Sequence, residues 1–257
     1  MMASLLSVEN VTKQFGGLTA LAEVSLHIDQ GEIVGVIGPN GAGKTTLFNI
    51  ITGLYSPTVG KIFLNGQNIT NLPPHKIAAR GFGRTFQNIR LFGKMSVLDN
   101  VLVAMHTKTK TSLFDAIFHT PRSRREEKQC LERAEELLRL VDLWEERYEY
   151  ATSLPYGKQR RLEIARALAL DLSLLLLDEP AAGMNEQETM ELLEIVRKLK
   201  QMNTTILLIE HDMKFVMNIC ERIYVLDYGR VIADGTPAQI SSNQAVIDAY
   251  LGLAEDD

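Results

Sequence analysis

The octapeptide Gly38-Pro39-Asn40-Gly41-Ala42-Gly43-Lys44-Thr45 constrains this chain more than any other stretch. It fits the pattern GxxxxGK[ST], and its flanks agree with that pattern. Before it runs Glu32-Ile33-Val34-Gly35-Val36-Ile37, apolar enough for a strand buried on both faces. After it, Lys44 to Thr52 reads as a helix. A glycine-rich loop between such elements turns successive backbone N–H groups toward one point, and the helix N-terminus adds partial positive charge there. The loop therefore reads as a phosphate cradle. Lys44 is placed to reach β- and γ-phosphates, and the Thr45 hydroxyl to ligate Mg²⁺.

The rest of the pattern supplies a matching frame. Short β-branched runs at Leu6 to Val11, Val24 to Ile28 and Gly60 to Leu64, the last ended by Asn65-Gly66, predict a β-rich start. Later, helices over Lys158 to Leu170 and Glu186 to Gln201 precede strands at Leu174 to Leu177 and Thr205 to Ile209. Ile223 to Leu226 and Arg230 to Ala233 then flank the turn Asp227-Tyr228-Gly229. Strands alternating with helices predict an α/β fold with a mostly parallel core sheet. Between about Asn88 and Ser153 the β signal vanishes. Cys130, Leu131, Ala134, Leu137, Leu138 and Val141 recur at offsets of three and four, which predicts an amphipathic helix within Arg124 to Arg147. The expected organisation is a single domain, residues 1–257. Its catalytic core with the β subdomain comes from 1–87 and 154–257, and a helical subdomain from 88–153.

A second chemical feature follows the apolar run Leu174 to Leu177. Asp178-Glu179-Pro180 stands at that strand's C-terminal end, where parallel sheets bind ligands, so the acids share a rim with the phosphate loop. Asp178 is expected to serve the Mg²⁺ shell through water, and Glu179 to polarise an attacking water. Composition narrows the partners. With 27 Lys plus Arg against 32 Asp plus Glu, the net charge of −5 argues against nucleic acid, which needs a basic face. A loop built from N–H dipoles and one lysine holds an anion without one. Cys130 and Cys220 lie too far apart for a CxxC pair, so neither a disulfide framework nor a zinc site is expected. No apolar run approaches the roughly 20 residues of a membrane span, so any membrane crossing would fall to another chain. A guanine-reading Asn-Lys-x-Asp is absent.

Taken together, the loop at Gly38, Asp178-Glu179-Pro180, Phe86-Gln87, Leu154 to Arg161 and Glu210-His211-Asp212 resemble the ATP-binding-cassette (ABC) ATPases, in order and over nearly the whole chain. The resemblance implies a P-loop NTPase with an N-terminal antiparallel β subdomain and an inserted helical subdomain. It also implies ATP and Mg²⁺ as ligands. It makes Phe15 the ring that stacks on adenine and extends the ATP contacts through Thr46. Gln87 becomes a Mg²⁺ and water contact, and His211 a γ-phosphate contact. Asn185 stands where the family usually has Asp, which puts a charged contact across a cassette dimer in doubt. The signature, usually Leu-Ser-Gly-Gly-Gln, reads Leu154-Pro155-Tyr156-Gly157-Lys158-Gln159 here. Tyr156, Gly157 and Lys158 would face the other cassette's ATP, with Gly157 offering its N–H and Lys158 a compensating charge.

Further matches are similar to ATP-binding subunits of branched-chain amino-acid importers. They are Phe15-Gly16-Gly17-Leu18, Arg84-Thr85-Phe86-Gln87, Glu179-Pro180-Ala181-Ala182-Gly183 and Ala249-Tyr250-Leu251-Gly252. This likeness implies a second cassette as partner, forming a heterodimer, together with transmembrane permease subunits and, indirectly, a solute-binding protein. It implies a peripheral position on the cytoplasmic face of the inner membrane. Apolar residues Ile89, Leu91, Phe92 and Met95 are candidates for a groove that takes a permease helix. The alternatives are a cassette of another transporter, such as one for lipopolysaccharide export, or a soluble non-transport ABC ATPase.

Overall fold

The computed structural model describes residues 4–85, 89–106, 121–170 and 172–251. Among them the β-rich start forms a four-stranded antiparallel sheet in the order β2-β1-β4-β5. Its strands are β1 (Leu6–Phe15), β2 (Leu18–Ile28), β4 (Val59–Leu64) and β5 (Gln67–Asn68). The β1 and β2 strands run further than apolar alternation indicates. Their outer halves pair through register shifts, where the backbone ladder needs no apolar side chain to continue.

A second sheet has six strands in the order β10-β9-β3-β8-β7-β6. These are β3 (Ile33–Ile37), β6 (Phe82–Arg84), β7 (Leu174–Asp178), β8 (Thr205–Ile209), β9 (Arg222–Asp227) and β10 (Arg230–Gly235). All pair in parallel except β10, which returns antiparallel beside β9. The mostly parallel sheet is as expected; the edge strand β6 is an addition that the sequence pattern did not announce.

The helices are α1 (Lys44–Ile51), α2 (Pro74–Ala78), α3 (Val97–His106), α4 (Pro121–Leu140), α5 (Tyr156–Leu168), α6 (Glu186–Gln201), α7 (Met213–Ile219), α8 (Pro237–Ser241) and α9 (Gln244–Leu251). Every residue of β3, β7 and β8 is buried, because both faces of the second sheet are covered. The period of two along β3 shows how. Val34 and Val36 join a cluster with Leu47, Phe48 and Ile51 of α1 and Leu6, Val8 and Ile62 of the antiparallel sheet. Ile33 and Ile37 join the opposite cluster, with Val101, Leu138, Leu162, Leu192 and Phe215. Helix α1 is thus held between the two sheets, and the phosphate loop is fixed at its start.

The amphipathic helix ends at Leu140, before the expected Arg147. Asp142 takes a left-handed φ of 56°, and the N–H groups of Asp142 and Leu143 turn back to Arg139 and Leu138. This is a Schellman stop made with aspartate in the position glycine usually holds. No helix of the described residues is long and apolar enough to cross a membrane. Both cysteines are free, and burial pushes the Cys220 thiol far up.

Candidate active site

Three strand ends meet in a row. Val36 of β3 lies opposite Ile209 of β8, and Ile209 lies opposite Asp178 of β7. The residues just past that row are the phosphate loop, Glu179 and Glu210-His211. The topology therefore brings together features that lie far apart in sequence.

In the loop, Gly38, Gly41 and Gly43 have φ values of 150°, 81° and 102°. These left-handed angles aim consecutive N–H groups inward. A side chain at Gly38 would also strike the Leu226 carbonyl at 2.0 Å. The β9–β10 turn braces the loop from behind, since the Gly229 N–H donates to the Ala42 carbonyl at 3.0 Å. Pro39 and Ala42 are buried, Asn40, Gly41 and Thr45 are exposed, and Thr46 is half-buried. Helix α1 has no side-chain cap and no acid in its first turn, which leaves its leading N–H groups for an anion. Lys44 is buried, and its Nζ donates to the carbonyls of Gly38 at 2.6 Å and Pro39 at 2.9 Å. Burial pushes its pKa down, while the nearby Glu179 carboxylate pulls it up. A buried ammonium whose hydrogen bonds go to loop carbonyls is a charge arranged for an anionic ligand.

Asp178 is buried, and Arg84 of β6 grips it: Nη2 donates to Oδ2 at 2.7 Å. The same guanidinium reaches α1, giving Nη1 to Asn49 Oδ1 at 2.9 Å and Thr52 Oγ1 at 3.2 Å. Thr85, next in sequence, accepts the Asp178 N–H at 3.3 Å. Glu179 follows with a left-handed φ of 46°, an uncommon angle for a residue with a side chain. Its N–H donates to the Ile209 carbonyl at 3.0 Å, which anchors its backbone at the rim. His211 is exposed, and its own N–H donates to Glu210 at 3.1 Å. Gln87 and its neighbour Phe86 lie outside the described residues.

Phe15 ends β1 with an exposed ring. Tyr55 meets it edge-on at 5.3 Å, and the Tyr55 N–H donates to Asn49 of α1, which ties this aromatic to the loop's helix. Such a ring offers a face for stacking. Tyr156 opens α5, is exposed, and accepts from Arg160 Nη2 at 3.3 Å. At the signature, both backbone and side chain have partners within this chain. The Gly157 N–H is engaged by Glu188 Oε1 at 3.3 Å, and Lys158 is paired with Glu146. Neither is simply presented to a phosphate, because carboxylates of the same chain reach them first. Asn185 caps α6: its side chain accepts the Glu188 N–H, and Glu188 returns a bond to the Asn185 N–H. That reciprocal cap accounts for an amide where a charged contact was in question.

The oxygen donors at the rim, the Thr45 hydroxyl and the Asp178 carboxylate, suit a hard cation such as Mg²⁺. Among the described residues no group of three His, Cys, Asp or Glu side chains could hold a metal alone. Beside the rim, α2 and β6 face α3 and α5 across a groove of about 480 Å³. Its apolar lining includes Leu54, Ile77, Phe82, Phe92 and Val103. Of the four residues proposed from sequence for such a groove only Phe92 lines it; Leu91 packs against the core instead.

Comparison with known proteins decides the family. The sequence profile described as "ABC transporter" matches residues 21–182. The chain belongs to the ABC transporter family. A second profile, "Branched-chain amino acid ATP-binding cassette transporter", matches residues 230–256 of the cassette. The cassette is 51% identical over 255 residues to the high-affinity branched-chain amino acid transport ATP-binding protein LivG of Escherichia coli K12, covering 99% of this chain and 100% of that one. It is 49% identical over 255 residues to BraF of Pseudomonas aeruginosa, with the same coverage. Among solved structures, the ADP conformation of an ATP-binding cassette of an ABC transporter superposes with a TM-score of 0.84 at 31% identity, covering 97% of this chain and 99% of that one. A dimeric cassette in a post-hydrolysis state, bound to ADP and phosphate, superposes with a TM-score of 0.75 at 26% identity, over 90% and 98% of the two chains. The cassette is an ATPase of this fold.

Proposed function

We propose that this cassette is the ATP-hydrolysing subunit of an importer for branched-chain amino acids. The identity of 51% to LivG, over 255 residues and the full length of that protein, carries this reading. The match of the C-terminal profile supports it. A lipopolysaccharide-export cassette, LptB of Haemophilus influenzae, is also similar, but at 34% over 249 residues.

In the proposed reaction, ATP and water give ADP and phosphate. The loop from Gly38 to Thr46 and Lys44 bind the triphosphate, and Phe15 stacks on adenine. Thr45, Asp178 and Gln87 hold Mg²⁺, which when bound neutralises charge on the phosphate oxygens. Glu179 orients and polarises the attacking water, and His211 contacts the γ-phosphate. Protein groups here position reactants rather than react covalently. Residues 1–87 and 154–257 act as the catalytic core, and residues 88–153 as a helical subdomain. A second cassette closes over the nucleotide, with Tyr156, Gly157 and Lys158 facing the partner's ATP.

The groove beside Arg84 takes a short amphipathic helix from a membrane subunit. Its apolar floor, with Leu54, Ile77, Phe82, Phe92 and Val103, matches the apolar face of such a helix. Docking there places the cassette peripherally, on the cytoplasmic face of the membrane.

The test is reconstitution. Membrane subunits that co-purify in mild detergent, combined with their solute-binding protein in vesicles, should take up labelled leucine, isoleucine and valine only when ATP is on the cassette side. Uptake of none of the three, by a complex that still hydrolyses ATP, would rule this solute class out.

A further inference from the structure

Glu210 is fully buried, yet the reaction above gives it no role. Among the described residues no Lys or Arg pairs with it, and the His211 ring Nδ1 lies 3.8 Å away. Its carboxylate is instead divided between two loops. Oε1 accepts the Ala181 N–H at 2.7 Å, in the segment that follows Glu179. Oε2 accepts the N–H groups of His211 at 3.1 Å and Asp212 at 3.4 Å. Burial pushes this carboxyl's pKa up, and the three N–H bonds pull it back. A buried carboxylate is costly unless hydrogen-bonded, so a position that needed only packing would be better served by an apolar side chain.

We infer that Glu210 is a positioning residue that holds His211 in register with the loop carrying Glu179. The inference rests on the proposed roles of those two residues. Both oxygens must accept, one for each loop. Glutamine has one acceptor and one donor, so its amide nitrogen would confront an N–H on one side and release that loop. Aspartate lacks a methylene and cannot span both. The ring of His211 is exposed, so its backbone anchor is what fixes where the imidazole points. Small displacements of a group acting on the γ-phosphate are expensive, because positioning supplies much of the catalysis.

The experiment is a double-mutant cycle on the full chain: wild type, Glu210→Gln, His211→Ala, and both together, each with kcat and KM for ATP. Glu210→Gln should lower kcat roughly 10- to 100-fold with KM nearly unchanged. The double variant should be no slower than His211→Ala. Losses that multiply, or a Glu210→Gln enzyme with normal kcat, would overturn the inference. A His211→Ala enzyme with full activity would instead sink the assigned role of His211. Should Glu210→Gln fold poorly, amide hydrogen exchange on the wild-type chain gives an independent reading. The amides of Ala181, His211 and Asp212 should open together, and separate fast opening of either loop would overturn the inference as well.

Discussion

The ion pair between Arg84 and Asp178 shows what one side chain contributes to this site. The two side chains are only 10% and 8% exposed, so solvent screens the pair weakly. Removing one partner of such a pair leaves a buried charge without its counterion. Arg84→Ala should therefore cost about 3–5 kcal/mol of folding stability in urea denaturation. A loss below about 1 kcal/mol would show that the pair is solvated like a surface bridge. Glu179→Gln tests a different role. The substitution preserves shape but removes the base, so nucleotide affinity should hold while turnover falls about 10²- to 10⁴-fold. Comparing ATP binding with single-turnover hydrolysis separates the two, and unimpaired turnover would exclude Glu179 as the essential group. The residues legible in the sequence (Lys44, Asp178, Glu179 and His211) share one property: each lies within or directly past a motif at a strand end. Arg84 and Glu210 were not legible as site residues, although both stand inside quoted motifs. Their importance comes from partners some 94 and 29 positions away, which only the folded sheet brings near.

At the scale of elements, the sequence revealed types better than ends. Continuous apolar runs identified the buried strands, and offsets of three and four the long amphipathic helix. The helix stop at Leu140 escaped because its left-handed residue is Asp142 rather than glycine. Strand β6 escaped because three residues carry no usable alternation. Helix α5 starts at Tyr156, two residues before expectation, since Pro155 suits the edge of a first turn. The first turn of α5 is tied down by Lys158, which pairs with Glu146 and, chiefly through that hydrogen bond, lowers the Glu146 pKa. The sign of the linkage follows. A carboxylate with a depressed folded pKa adds stability above its unfolded value, near 4.5, and loses it as pH falls through the folded value. Wild type should therefore lose more stability between about pH 5 and pH 3 than Lys158→Met does, by a small margin because the pair is partly exposed. Parallel stability–pH curves for the two proteins would contradict this link.

At the scale of the whole molecule, the proposed function has a second cassette complete the rim from outside. The solved dimer similar to this cassette holds ADP and phosphate. In the proposed closure, the start of α5 approaches the partner's γ-phosphate. That start already carries an anion, because Glu188 Oε1 sits 3.3 Å from the Gly157 N–H. A carboxylate in that position takes the donor which the phosphate needs and repels the phosphate as it arrives. Closure must therefore displace Glu188 or accept its repulsion, so the charge sets a threshold on ATP-driven dimerisation. Glu188→Gln isolates that charge, because glutamine at the third helical position still serves the cap with Asn185. Placed in a Glu179→Gln background, where bound ATP persists, it should lower the ATP concentration at which dimers appear in size-exclusion chromatography. The shift should shrink as salt rises, as expected of an interaction near the surface. Glu188→Ala separates the cap from the charge: it removes both, so it should ease closure while lowering the melting temperature, whereas Glu188→Gln leaves melting nearly unchanged. If both variants dimerise at the wild-type ATP concentration, the carboxylate is a helix cap and nothing more.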